Sequence, residues 1–151
     1  MKRGPNIFNA MLRIYVLHLS AILAIWLGTY YPGVDIALSI LYLLLLWAEG
    51  QHSWQILHSR WKQALIAAFW QLPGFLLAGT ILSGLDRLTE FAYYFVFILE
   101  IWHTPVLPLI SLLPVGTIWG IPIYYGLSFI MVPVLAFYYC MPAMMPTTKR
   151  E

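Results

Sequence analysis

Charge is what this sequence lacks most. Only 9% of its 151 residues are charged, while 62% are hydrophobic. A soluble domain carries about 25% charged residues, so this chain cannot solvate a surface around so much apolar side chain. Lipid is the solvent that suits it. The net charge of +2 is small and its Lys and Arg sit at chain ends and junctions. That is a topology signal, and it gives no footprint for nucleic acid. Cysteine is nearly absent as well. Cys140 stands alone, which excludes an intramolecular disulfide and a cysteine-based zinc site.

Catalytic signatures are missing too. The chain has no Walker A loop, no His-Glu-x-x-His, no Gly-x-Ser-x-Gly and no Cys-x-x-Cys, so an enzyme assignment has no motif behind it. No cofactor is specified. No internal repeat, low-complexity segment or soluble domain interrupts the chain, and residues 1–151 read as a single transmembrane domain.

What is present is a series of apolar runs. The composition and runs predict an all-α integral membrane protein, a bundle of about five transmembrane helices. Residues 1–10 are short and polar. Residues 11–31 form a first anchor helix, with Arg13 and His18 inside it, ending at Tyr30-Tyr31-Pro32-Gly33. Residues 34–47 are short for a span, which takes about 20 residues. Gly50 reads as a helix stop and Ser53 as the cap of a new helix. The segment 50–63 is polar and basic with Trp54 and Trp61, as for a helix entering from an anionic surface. His52, His58, Arg60 and Lys62 are its candidate docking residues. Residues 64–83 form a third run, with a bend expected at Pro73-Gly74. A charged loop with Asp86, Arg87 and Glu90 follows, and residues 121–141 form the last run before a polar tail at 142–151. Seven Trp and ten Tyr read first as interfacial anchors.

The fourth segment, 91–115, is the unusual one. It carries Glu100 and His103 near its middle, then Pro105, Pro108 and Pro114. Thr104 as N-cap with Pro105 at the first helical position would start a second, short helix. Two arrangements follow. In one the segment is the fourth of five full spans, kinked at Pro105 and Pro108. In the other it dips to mid-membrane and returns, which puts the tail on the N-terminal side. Lys2, Arg3, Arg13, Arg60 and Lys62 place the N-terminus in the cytoplasm.

Glu100 and His103 share a helix face. A charge at the bilayer centre costs about 2.5 kcal/mol or more and marks proton or substrate paths. Counting residues from the ends of the runs, His18 lies at nearly the same depth as His103. His18, Glu100 and His103 are therefore the candidate polar cluster, with Gln71, Tyr93 and Tyr94 as candidate lining. Glu49 and His52 repeat the Glu-x-x-His spacing of di-metal bundles, but the two further inward glutamates of such sites are missing, and no metal is assigned. Gly79-x-x-x-Ser83 and Gly116-x-x-x-Gly120 are spacings that let helices approach.

These residues lead to an expectation of a small-molecule or ion binding or transport component, proton-coupled through Glu100. A carrier of 151 residues is small, so a homo-oligomer or a partner subunit is expected beside the lipid bilayer. Two alternatives stay open: a membrane anchor or accessory subunit docking through 50–63, and a redox subunit holding haem or quinone between His18 and His103.

Overall fold

The computed structural model describes residues 7–85, 92–113, 116–118 and 121–145. The loop acids and Arg87, Lys2, Arg3, Pro114, Gly120 and the end of the tail lie outside them. The described chain is a helical bundle. Its elements are α1 (Ile7–Gly28), α2 (Val34–Leu57), α3 (Arg60–Leu82), α4 (Ala92–His103), α5 (Leu107–Ile110), the two-residue strands β1 (Thr117–Ile118) and β2 (Ile121–Pro122), and α6 (Ile123–Met144). The strands pair antiparallel, Thr117 opposite Pro122, and make a small turn ahead of α6.

Four helices, α1, α2, α3 and the part of α6 from Gly126 to Met144, are long and apolar enough to cross a membrane. The inside-out distribution of polarity agrees. Exposed side chains include Leu12, Leu23, Leu44, Leu76 and Phe137, whereas His18, Ser39, Ser53, Gln63, Gln71, His103 and Ser128 are buried. Water would not tolerate an apolar surface of that extent; acyl chains do. The apolar core of Ile14, Leu46, Ile66, Trp70, Leu135 and Tyr139 is filled by α1, α2, α3 and α6 together. This is a multi-pass membrane protein.

α4 is the exception among the longer helices. Its 12 residues extend about 18 Å, short of the roughly 30 Å hydrocarbon layer. Its last turn reaches the bundle interior, where His103 is 1% exposed. Thr104 to Val106 then turn, and α5 packs beside α2. Of the two arrangements the sequence allows, this is the one in which the fourth segment enters and stops. The ends of the bundle follow from it. Arg13 near the start of α1 meets Glu49 late in α2 at 3.0 Å, and Arg60 at the start of α3 donates to the carbonyl of Ala143 at the end of α6, 3.1 Å. The chain therefore enters α1 and leaves α6 at the same end of the bundle.

Two local expectations are corrected. α2 does not stop at Gly50; it runs on to Leu57, closes with His58 in a left-handed conformation (φ 47°), and Ser59 caps α3. The reason is packing. A Cβ on Gly50 would lie 2.5 Å from the Tyr139 carbonyl oxygen of α6, so the glycine serves a close helix approach. Likewise α5 begins at Leu107 with Val106 as its N-cap residue, because the Thr104 hydroxyl turns back to the Glu100 carbonyl at 3.2 Å and finishes α4.

Proline inside α3 has a specific compensation. Pro73 lacks an N–H, which leaves the carbonyl of Phe69 without its helical donor. The Tyr15 hydroxyl donates to that oxygen at 2.8 Å, and α3 runs through Pro73 from Arg60 to Leu82. Gly74 beside it makes room for Trp102, whose ring a Cβ would meet at 3.0 Å. Gly79 has nothing near its would-be Cβ and mediates no close approach.

Candidate functional site

The site is built around the end of α4. Trp102 and His103 are the last residues of that helix, and the neighbouring helices supply their surroundings. His18 of α1 faces Trp102, ring centroids 4.5 Å apart, and stands edge-on to Trp70 of α3 at 5.4 Å. Its Nε2 lies 3.1 Å from the Trp102 carbonyl oxygen and its Nδ1 lies 2.9 Å from the Tyr42 hydroxyl of α2. A carbonyl only accepts, so Nε2 carries the proton and Nδ1 accepts from Tyr42. Both nitrogens of His18 are used. Four helices meet through this one ring.

His103 is different. Its Nδ1 lies 2.9 Å from the carbonyl oxygen of Leu99 one turn back, which by the same rule assigns the proton here to Nδ1. Nε2 is then a bare lone pair. It is buried and has no hydrogen-bond partner among the described residues. Two further buried donors have no partner among the described residues: the Nε1 of Trp70, whose ring stands against His18, and the Nε2 of Gln71. The Gln71 Oε1 accepts from the Trp102 indole at 3.5 Å. Buried polar atoms are nearly always paired, so an interior that holds an acceptor and two donors without partners is suited to a polar guest.

The other sequence candidates fall in different places. Glu100 is half-buried one turn before His103, and its carboxylate makes no hydrogen bond or ion pair among the described residues. Tyr93 and Tyr94 are 74% and 56% exposed in the first turn of α4, about 15 Å of helix away from His103. They face outward because the helix begins at the rim. His52 and His58 are exposed at the end that holds Arg13, Arg60 and Lys62. Among the described residues no three of His, Cys, Asp and Glu converge on a point that could hold a metal ion.

Sequence reading missed Trp102, Trp70 and Tyr42, since each aromatic reads first as an interfacial anchor. The usable signal for Trp70 was its place on one face of α3 with Gln63, Ile66 and Gly74, spaced three, four and seven residues apart as one helix stripe is. It also missed the ion pair of Arg13 with Glu49. Ser53 joins that pair, donating to Glu49 at 2.9 Å. Gln63 then ties α2 to α6, its amide nitrogen donating to the carbonyls of Gly50 at 3.0 Å and Tyr139 at 2.9 Å.

No protein-family model, no curated protein and no solved structure matches this chain.

Proposed function

We propose that the protein binds a small polar molecule or ion inside its bundle, at the end of α4, as a binding or transport component that exchanges a proton with His103. The observation that carries this reading is the bare Nε2 of His103, buried at the tip of a helix that enters the bundle and stops. A break of this kind beside an ionisable group is how many carriers build their sites. Irregular backbone at membrane depth has to line a cavity or be covered by protein, and the Thr104–Val106 turn is covered.

In this reading His103 accepts the proton. Trp70 and Gln71 supply donors to the guest, and Glu100 is the next protonatable group toward the rim. His18 acts as a fixed strut between the Tyr42 hydroxyl and the Trp102 carbonyl. Both nitrogens of His18 being engaged argues against the haem reading, which needs one of them for iron. The bundle end that holds Arg13, Arg60 and Lys62 is assigned to the cytoplasm by the positive-inside rule, which puts the start of α1 and the end of α6 there. A homo-oligomer or a partner subunit completes the assembly.

Proteoliposomes with a trapped pH-sensitive dye test the reading. With a panel of small cations, anions and neutral solutes outside, at least one should drive a lumenal pH change faster than in protein-free liposomes, and His103→Gln should abolish it. Rates equal to protein-free liposomes across the panel would contradict it.

A further inference from the structure

A second feature lies on the outer side of α3 and α6. The two helices leave between them a groove of about 890 Å³, within the range of ligand pockets. Small side chains open it: Ala64 and Ala68 from α3, Ala136 from α6. Phe75 and Phe137, both more than half exposed, stand along it. From Arg60 to Leu76 it follows α3 for about 24 Å, longer than the leaflet half of a roughly 30 Å hydrocarbon layer.

The groove has one charged lining residue, Arg60, at its mouth beside the exposed Trp61. The Nε of Arg60 donates to the Ala143 carbonyl, which fixes the guanidinium at the rim. It pairs with no acid among the described residues, so its terminal nitrogens are left for an anion. Lys62 lies two residues on, also in the first turn of α3. An apolar trough longer than one leaflet, with a cation fixed at its mouth, matches one chemistry.

We infer that the groove between α3 and α6 binds an anionic phospholipid, its chain lying along Ala64, Ala68 and Ala136 and its phosphate on Arg60. Guanidinium binds phosphate oxygens through paired N–H donors. This goes beyond the His103 reading and does not need it, since the groove is open to lipid on the outside of the bundle.

The test is native mass spectrometry of the full chain, released from nanodiscs containing equal phosphatidylglycerol and phosphatidylcholine. The wild type should retain one phosphatidylglycerol, preferred by about fivefold, the value of one basic side chain toward anionic lipid. Arg60→Gln should keep a lipid but lose the preference. Ala68→Trp fills the groove from a lipid-exposed position and should lose the lipid; Ala136→Phe does the same from α6, should the first variant not fold. Equal retention of both lipids by the wild type would overturn the inference. So would undiminished retention in both groove-filled variants, which would mean annular lipid only. A wild-type dimer without lipid that Ala68→Trp dissociates would assign the groove to a second copy. None of these outcomes bears on proton exchange at His103.

Discussion

His18 and His103 are both 1% exposed at one level of the bundle, yet they are held in opposite ways. His18 spends both ring nitrogens on protein, one on Tyr42 and one on the Trp102 carbonyl. His103 spends one, on the carbonyl of its own helix, and leaves the other without a partner among the described residues. The first is an imidazole used as a brace between helices. The second is an imidazole kept available. Burial alone does not separate these roles; the count of satisfied nitrogens does.

That contrast makes stability and function separable, and mutations can pull them apart. The largest effect belongs to the scaffold. Gly50→Val puts a side chain where the Tyr139 carbonyl now lies and displaces the Gln63 bridge. A loss of about 3 kcal/mol is expected, the upper part of the overpacking range, visible as a fall in the midpoint of denaturant unfolding in detergent. His18→Leu comes next. It strands the Tyr42 hydroxyl and the Trp102 carbonyl, and leaving two buried polar groups unpaired costs about 2–4 kcal/mol; the same unfolding assay reads it. The Arg13–Glu49 pair should matter less. Its arginine side chain is 36% exposed, and a double-mutant cycle with Arg13→Met and Glu49→Gln is expected to give a coupling of about 0.5–1 kcal/mol. His103→Leu should be the smallest. It removes one local hydrogen bond and one unpaired acceptor, so stability should stay within about 1 kcal/mol of wild type, while solute-driven proton movement disappears. A large stability loss at His103 with no effect at His18 would reverse the comparison.

The sequence carries the class of the protein in its scarcity of charge, and carries the break in Thr104, Pro105 and Pro108. It also suggests the common depth of His18 and His103, because residue counts along helices convert directly to height. What it does not carry are contacts made across the bundle. Gly50 looks like a helix stop until Tyr139 is seen against it. Pro73 marks a missing helical bond, but nothing near it in the chain shows that Tyr15 fills the gap by donating to the Phe69 carbonyl. Arg13 and Glu49 are 36 residues apart, and nothing local marks them as partners. Tyr93 and Tyr94 were plausible lining by proximity in the chain, but ten residues of helix carry them out to the rim. In each case a local signal was outweighed by a neighbour from another helix.

The assignment of the two imidazoles can be read directly by ¹⁵N NMR of the histidine-labelled protein in nanodiscs between pH 5 and pH 9. His18 should stay in one tautomer, protonated on Nε2, throughout. His103 should carry its proton on Nδ1 and show Nε2 unprotonated at the alkaline end. A His103 protonated on Nε2 instead, or a His18 protonated on Nδ1, would contradict the account.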